Sequence, residues 1–276
     1  MDYNYLRVSV VECRYALIPS RLPDVDYALN PYVGCEHGCI YCYGRSMLRG
    51  RVEALSWGRF VKVKRNIHRI LAKEVRSGRF KGVIGIGTVT DPYQPLESRY
   101  MLTRQCVEVL SDVGDIHVTI QTKSDLIVRD VDLIKPSLFD VGVTITTMDE
   151  DIAKIIEPKA PPPSRRISAL ETVSNLGVDT WIFLGPIIPY LNDDYRCIEL
   201  VVDNAKRIGC EIIYDKLNLR RWVLDSMRMA LEEYGNYPID KLPLLTRRSS
   251  EWWMDVRRRV ERICRDKGVR CSPAYL

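Results

Sequence analysis

The spacing of apolar residues predicts strands that alternate with helices along most of the chain. Short apolar runs, many of them rich in Val and Ile, predict buried strands. They lie at 27–32, 83–89, 116–121, 141–146, 180–184 and 210–214. Between these runs, apolar residues three and four positions apart predict amphipathic helices. The helices lie near 63–78, 98–112, 130–134, 149–157, 164–176 and 193–208.

This alternation predicts an α/β fold. Apolar strands joined by helices and short loops favour a parallel sheet with right-handed crossovers. Six such units favour a partial (β/α)6 TIM-type barrel, and a flat doubly wound sheet is the alternative. In both folds, ligands bind at the C-terminal ends of the strands. The loops that follow the predicted strands should therefore meet on one face.

Segments on either side of the barrel do not follow the alternating pattern. A strand is predicted at 5–18, and helices are predicted at 221–234 and 250–267. The chain is therefore expected to divide into an N-terminal extension over 1–26, a barrel core over 27–216 and a C-terminal helical, Arg-rich extension over 217–276.

Composition and cysteine content predict a cytoplasmic protein without a membrane partner. Of 276 residues, 46% are hydrophobic and 28% are charged, which is ordinary for a globular protein. No apolar run reaches the roughly 18 residues that a membrane span needs. The N-terminus lacks the basic and then apolar form of a signal peptide. Nine cysteines in a chain of this length indicate thiols in a reducing compartment rather than a disulfide scaffold.

Positive charge is concentrated near the C-terminus. The whole chain has a formal net charge of +5, and residues 246–270 contain nine basic and four acidic side chains. That segment also contains Trp252 and Trp253, so it is a candidate for phosphate contacts and base stacking on a nucleic acid. The alternative is a solvated helix face whose tryptophans pack against the barrel.

The stretch 30–45 contains the strongest chemical signal in the chain. Cys35, Cys39 and Cys42 follow the spacing C-x3-C-x2-C. Closely spaced thiolates bind soft metal centres. A structural zinc site usually has four ligands, and here only three are local. Three thiolates on a cluster of four irons would leave one iron open to a substrate or cofactor. A metal-thiolate protein without catalysis is the alternative.

This motif, with the aromatic Tyr41 just before its last cysteine, resembles the cluster loop of radical S-adenosylmethionine (SAM) enzymes. The resemblance implies a [4Fe–4S] cluster on Cys35, Cys39 and Cys42, with SAM chelated at the open iron. It implies reductive cleavage of SAM to methionine and a 5'-deoxyadenosyl radical, which abstracts a hydrogen from an unidentified substrate. It also implies the partial barrel and an external low-potential electron donor of the ferredoxin or flavodoxin type.

Within that superfamily, four stretches resemble the spore photoproduct lyase-like branch, over about 27–216 of the chain. The stretches are 30–45, 88–95, 144–166 and 186–193. The resemblance implies a DNA photoproduct lyase-like repair activity as an alternative function. That lyase uses a cysteine as hydrogen donor, and the matching stretch 88–91 contains none here. No catalytic residue is therefore assigned.

The same resemblance implies contacts with the methionyl part of SAM. Lys123 and Thr144 match groups that hold its carboxylate end, and Lys123 can pair with a carboxylate as a point charge. Thr88, Thr90 and Asp91 lie where the superfamily contacts the amino group. Each has a structural alternative: a solvated lysine, β-branched strand residues and a turn before Pro92.

Further contacts are implied for the nucleoside part of SAM. Glu157 could accept hydrogen bonds from the ribose hydroxyls, and Tyr41 could lie near the adenine. Arg166 could neutralise Glu157 or contact the SAM carboxylate. The alternatives are an acid at a helix end for Glu157 and a structural salt bridge for Arg166. His37, inside the cluster loop, could tune a sulfur by hydrogen bonding or could simply be solvated.

Overall fold

The computed structural model describes residues 5–232, 235 and 237–275. Its strands form two sheets, whose members are bounded as follows. They are β1 (Arg7–Val11), β2 (Leu17–Pro19), β3 (Tyr27–Leu29), β4 (Tyr32–Val33), β5 (Phe60–Lys64), β6 (Gly82–Ile86), β7 (Ile116–Thr122), β8 (Phe139–Thr144), β9 (Asp179–Ile187), β10 (Glu211–Lys216) and β11 (Cys271–Pro273).

Helices connect these strands, several of them cover the outer face of the larger sheet, and others pack beside the loop that follows β4. They are α1 (Arg51–Leu55), α2 (Ile67–Arg76), α3 (Glu97–Tyr100), α4 (Leu102–Ser111), α5 (Glu150–Ile156), α6 (Pro163–Ser174), α7 (Tyr195–Ile208), α8 (Val223–Leu231), α9 (Leu242–Leu245) and α10 (Glu251–Lys267). Among the described residues, every helix is too short or too polar to cross a membrane.

The larger sheet has the strand order β11-β10-β9-β8-β7-β6-β3-β2. All neighbouring pairs are parallel except β2 with β3. The order follows the chain from β3 to β10 without reversing, whereas a doubly wound sheet reverses its strand order at a switch point. The predicted partial TIM-type barrel is therefore confirmed, and the flat doubly wound alternative is wrong.

The N-terminal segment contains two strands where the sequence predicts one. β1 pairs in parallel with β5 in a three-stranded sheet that also contains β4, and β2 joins the edge of the barrel. Two side chains on and before α2 hold the chain between them. Asn66 exchanges two hydrogen bonds with the Cys13 backbone, at 2.9 and 3.0 Å. Glu74 accepts from the Leu17 amide at 2.9 Å.

The C-terminal segment supplies helices and also a strand of the barrel sheet. The sequence did not predict β11, which pairs in parallel with β10. The helix α10 packs against α7 through its apolar face, which includes Val256, Val260 and Ile263. The C-terminal segment is thus joined to the barrel by backbone pairing and by helix packing.

Element boundaries shift where backbone pairing or local conformation overrides the helical pattern. β5 occupies the start of the predicted helix at 63–78, because its residues pair with β1 and β4. Met101 has a φ of 52° and separates the predicted helix at 98–112 into α3 and α4. The helix predicted at 130–134 is instead a 3-10 helix over Asp125–Asp130. β9 extends three residues beyond its predicted end, to Ile187.

Alternating side chains on β7 divide the core from the barrel lumen. Ile116, Val118 and Ile120 are buried in the apolar core. Thr119 and Gln121, between and after them, line a cavity inside the barrel. Successive side chains on a strand point to opposite faces of the sheet. The apolar side chains therefore pack against the surrounding helices, and the polar side chains point into the lumen.

Candidate active site

The three motif cysteines line one cavity of about 1040 Å³, which extends into the barrel lumen. The loop that contains them begins after β4 and turns at Gly34 and Gly38, whose φ angles are 88° and 66°. Only glycine adopts such angles at little cost. Cys35 and Cys39 are 6% and 4% exposed.

The surroundings of these thiols disfavour an uncompensated thiolate. Burial raises the pKa of Cys39 to about 12, although the nearby Lys123 lowers it. Burial, helped by the Asp91 carboxylate, raises the pKa of Cys35 well above its ordinary value. Metal binding requires the thiolate form, and a bound cationic centre would offset the free-energy cost of burying these negative charges. The donor set and its environment therefore fit an iron–sulfur cluster.

No three His, Cys, Asp or Glu side chains within 5–232, 235 and 237–275 are placed to hold one metal ion. In an iron–sulfur cluster, each thiolate can bind a different iron, so the ligands need not meet at one point.

Arg45 lies behind the cysteines and holds their loop. It is buried, and it donates hydrogen bonds to the carbonyl oxygens of Cys42, Cys39 and Ala54 at 3.2, 2.8 and 3.0 Å. The sequence analysis did not single out Arg45. Its place at the end of the motif was visible, but its burial depends on α1 packing over the loop.

Asp91 joins the cluster loop to the end of β7. Its carboxylate accepts from the Thr122 hydroxyl and the Lys123 amide, both at 2.7 Å. His37 Nδ1 lies 3.3 Å from the same carboxylate. Burial alone would raise the pKa of Asp91, but His37 and these hydrogen bonds hold it at about 2. His37 is 1% exposed, so the interpretation of a solvated loop residue is wrong.

Thr88 and Thr90 both line the cavity and hold the motif from the other side. Thr90 donates to the Gly34 carbonyl oxygen at 2.5 Å. The Thr88 hydroxyl accepts from the Asn30 side chain at 2.9 Å, and the Thr88 carbonyl oxygen accepts from the Tyr43 hydroxyl. Their hydroxyl groups thus already contact protein.

Lys123 places a positive charge at the cavity wall. Burial alone would lower the pKa of Lys123, but Cys39 and Glu157 raise it, so the ammonium form is favoured. Its Nζ lies 5.7 Å from the centre of the Tyr41 ring. Thr144 also lines the cavity and accepts from the Gln121 side chain at 3.1 Å. These residues come from the ends of β7 and β8 and from the cluster loop.

Glu157 and Arg166 form a buried ion pair that does not line this cavity. They are 2% and 1% exposed, and Arg166 Nη1 lies 2.5 Å from Glu157 Oε2. The other carboxylate oxygen accepts from the Thr146 hydroxyl at 2.7 Å and from the Tyr41 hydroxyl. Although burial would raise it, Arg166 lowers the pKa of Glu157. Both Glu157 oxygens therefore contact protein groups, and Arg166 neutralises Glu157.

Asn192 extends this network to β9, and the sequence analysis missed its role. Its side-chain amide donates to the Thr146 and Pro186 carbonyl oxygens at 2.6 and 3.1 Å, and its oxygen accepts from the Ile188 amide at 2.6 Å. Its stretch was quoted for its resemblance, but no pattern indicated a contact with the residues after β8.

Of the predicted cofactor contacts, six residues come together around the cavity and two lie outside it. The six are Tyr41, Thr88, Thr90, Asp91, Lys123 and Thr144. Glu157 and Arg166 lie behind the wall that Tyr41 forms.

The Arg-rich helix α10 lies outside this site, and several of its basic side chains have acidic partners. Arg258 pairs with Asp255, and Lys267 lies 3.1 Å from Glu199. Trp253 is buried in the core, as the packing interpretation expects, and Trp252 Nε1 donates to Asp193 Oδ2 at 2.7 Å.

A comparison with protein families decides the class of the protein. The sequence profile of the Radical SAM superfamily matches residues 29–200, which include the three cysteines and the ends of β6 to β9. This chain belongs to the radical SAM superfamily. Membership confirms the predicted class and makes the protein an enzyme rather than a non-catalytic metal-binding protein. It implies an iron–sulfur cluster and SAM as cofactors, and radical SAM enzymes generally need an external reductant.

Other proteins share its sequence or its fold. An uncharacterised protein of Methanocaldococcus jannaschii is 32% identical over 216 residues, which are 78% of this chain and 79% of that protein. A spore photoproduct lyase variant, solved with bound AdoMet and dinucleoside spore photoproduct, superposes with a TM-score of 0.75 at 13% identity. The match covers 98% of this chain and 82% of the lyase.

The same fold also supports another type of chemistry. A radical SAM methyltransferase from Sphaerobacter thermophilus has a TM-score of 0.55 at 16% identity, over 93% of this chain and 67% of that enzyme. The likeness to the lyase therefore confirms the predicted lyase-like fold, and at this identity the comparison concerns the fold alone.

Proposed function

We propose that this radical SAM enzyme binds a [4Fe–4S] cluster through Cys35, Cys39 and Cys42 and uses it to cleave SAM reductively. When bound by these cysteines, the cluster would supply the electron that splits SAM into methionine and a 5'-deoxyadenosyl radical, and that radical would take a hydrogen atom from a substrate in the lumen. One observation carries the proposal: the three thiols line the same cavity as the ends of the parallel strands.

The cavity wall offers groups of suitable charge for SAM. Lys123 would pair with the carboxylate, since its ammonium group lies beside Cys39 and is favoured by the charges around it. The Thr144 hydroxyl would bind the same end from the next strand. Backbone groups of 88–91 would bind the amino group, because the Thr90 hydroxyl and the Asp91 carboxylate already contact protein.

We propose a positioning role for the buried ion pair. Arg166 Nη1 donates to the Thr144 carbonyl oxygen at 3.1 Å, and Glu157 accepts from the Tyr41 hydroxyl. Both Tyr41 and Thr144 line the cavity. The pair would thereby hold the aromatic face that we place near the adenine and the strand end that we place near the carboxylate.

The barrel would also protect the radical. A closed site excludes water and prevents side reactions of reactive intermediates. The electron would come from a low-potential donor of the ferredoxin or flavodoxin type.

The test is anaerobic reconstitution with iron and sulfide, followed by dithionite and SAM and an assay for 5'-deoxyadenosine. Wild-type protein should form it, and a Cys39→Ala variant should not. A Cys197→Ala variant is the matched control, since Cys197 is a half-buried cysteine on α7 that does not line the cavity. Wild-type protein that binds no iron–sulfur cluster would refute the proposal.

A further inference from the structure

The lower lumen, which is the part of the barrel interior around Gly85, Thr119 and Asp140, has an unusual lining. The interior of a TIM barrel is normally filled by layers of bulky branched side chains. Here, Gly85 on β6 and Thr119 on β7 pair at one level, and Asp140 on β8 follows at the same level. All three line the cavity. Val25 covers Gly85, since a Cβ atom there would lie 2.9 Å from Val25 Cγ1, and the polar side chains of Thr119 and Asp140 face the remaining space.

Two aromatic side chains on β9 form one wall of this space. A Cβ atom on Gly142 would lie 2.3 to 2.4 Å from three ring atoms of Trp181, so the indole lies over that glycine on the neighbouring strand. A Cβ atom on Gly185 would lie 2.4 Å from the Phe183 ring. Trp181 and Phe183 line the cavity. Each ring therefore lies against the wall, where its face is available to a ligand.

Asp140 fixes the indole and a histidine around it. Its Oδ1 accepts from Trp181 Nε1 and from the Thr119 hydroxyl, both at 2.6 Å. Its Oδ2 lies 2.6 Å from His117 Nε2. A carboxylate can only accept, so Nε2 carries the proton and Nδ1 of a neutral ring is left as an acceptor. The His117 side chain is 44% exposed and lines the cavity.

A second hydrogen-bond acceptor, Gln121, lies closer to the C-terminal ends of the strands. Gln121 Nε2 donates to the Thr144 hydroxyl, so its amide is oriented and its oxygen remains as an acceptor. Gln121 also lines the cavity. Thr119 and Lys123 are four positions apart along β7 and its end. At about 3.3 Å per residue, roughly 13 Å separate this level from the predicted SAM carboxylate site. The cavity volume of about 1040 Å³ is at the upper end for ligand sites, so a second molecule has room beside SAM.

We propose that the lower lumen binds a flat, nitrogen-containing ring of the substrate, stacked on Trp181. His117 and Gln121 are four positions apart on β7, roughly 13 Å along the strand, and would accept hydrogen bonds from opposite ends of the ring system. The aromatic wall selects a planar group, and the two acceptors select a ring that carries N–H donors. The inference rests on the proposed function in that the ring belongs to the molecule from which hydrogen is abstracted.

The test is direct binding, which needs neither a reduced cluster nor turnover. Guanosine and uridine are the probes, with ribose and benzyl alcohol as comparisons that lack the ring or its nitrogen atoms. Affinities come from saturation-transfer NMR titrations of the full-length protein. S-adenosylhomocysteine is present in excess, so that any adenine-binding pocket of the SAM site is occupied.

Two variants and one control locate the binding. Trp181→Leu removes the stacking face and should weaken nucleoside binding about tenfold or more. Gly142→Ala keeps every proposed contact group but forces the indole off the wall, and it should also weaken binding. Trp252→Leu is the matched control, since Trp252 likewise donates to an aspartate but lies on α10. Circular dichroism checks the fold of each variant.

Each outcome decides the proposal. Weaker binding in both lumen variants with unchanged binding in Trp252→Leu supports it. Equal binding of ribose, equal binding of benzyl alcohol, or equal affinity of the Trp181→Leu and Trp252→Leu variants overturns it. Nucleoside binding without any 5'-deoxyadenosine in the reconstitution assay would refute the proposed function alone. Formation of 5'-deoxyadenosine without nucleoside binding would refute only the lumen site.

Discussion

Replacing Arg166 by methionine should destabilise the protein far more than the same change at Arg165. The two arginines are neighbours on α6, but they differ in environment. Arg166 is 1% exposed and contacts Glu157, and it also donates to the Pro161 and Thr144 carbonyl oxygens at 2.7 and 3.1 Å. Its loss leaves a buried carboxylate without a counter-charge and two carbonyl groups without this donor.

The expected magnitude follows from that burial. Removing one partner of a buried ion pair typically costs about 3–5 kcal/mol, because the other charge stays buried and unpaired. The free energy of unfolding of a whole domain is about 5–15 kcal/mol. Arg165 pairs with Asp125, and its side chain is 63% exposed. An exposed pair contributes about 0–1 kcal/mol, so Arg165→Met should be nearly silent.

The measurement is urea unfolding followed by tryptophan fluorescence and far-UV circular dichroism. Metal-free protein in a chelator and a thiol reductant avoids coupling to cofactor loss. Glu157→Gln and the double variant Glu157→Gln with Arg166→Met complete a thermodynamic cycle. The double variant should recover part of the loss, because no buried charge is left unpaired, and couplings within such pairs reach about 0.5–3 kcal/mol.

Equal unfolding free energies for Arg165→Met and Arg166→Met would refute this reasoning. A double variant whose loss equals the sum of the single losses would show that Glu157 and Arg166 do not act as a pair. A changed dependence on urea concentration would instead indicate a change in the unfolded or native ensemble.

Three further predictions concern other elements. Asp91→Ala should lower stability by about 1–3 kcal/mol in thermal unfolding, since it removes the acceptor of buried donors on β7; Asp112→Ala, at an exposed carboxylate, should not. Asp194→Ala removes the N-cap of α7 and should cost about 1 kcal/mol. The pKa of Asp194 is lowered in the folded protein. The stability that this cap contributes should therefore be present above about pH 4 and should be lost as pH falls through the lowered pKa. If α10 binds DNA, the double variant Arg262→Ser with Arg265→Ser should lose about two phosphate contacts. The slope of log K for DNA binding against log salt concentration should then become shallower by about 2, and an unchanged slope would contradict that role.

The barrel could be predicted from the sequence because its strands alternate strongly or are continuously apolar. Ile116, Val118 and Ile120 share one face of β7, and that face is buried against helices. The position of the site at the C-terminal ends of the strands could be predicted from topology, since the loops after parallel strands meet at one edge. The cysteine loop was recognisable from spacing alone, since its three thiols are close together in the sequence.

The pairing of Arg166 with Glu157 was among the alternatives from the sequence, but the surroundings of that pair and the partners of Asp91 could not be predicted in this way. The sequence places Glu157 near Arg166 along the chain, but it does not show that both lie behind the cavity wall. The sequence assigned Asp91 no protein partner, and in the structure its carboxylate accepts from Thr122 and Lys123 at the end of β7. Such pairings depend on side-chain orientation after packing, which periodicity does not report.

β11 escaped prediction for a different reason. It has three residues, one of them a proline, and strand signals need longer runs. Its position depends on α10 returning the chain to β10. The same holds for the lumen wall: the polar alternation of β7 is visible in the sequence, but the placement of Trp181 over Gly142 requires the register of β8 and β9.

The position of β11 sets an order of events during synthesis. Ser272, Pro273, Ala274 and Tyr275 complete the lining of the cavity that contains the cysteines of the N-terminal third. The ribosome releases those cysteines long before it makes β11, and contacts between distant parts of a chain form late in folding. In the nascent protein the cavity around the three thiols therefore lacks this part of its lining until β11 has been made. The cavity takes its final form only after translation has passed residue 275.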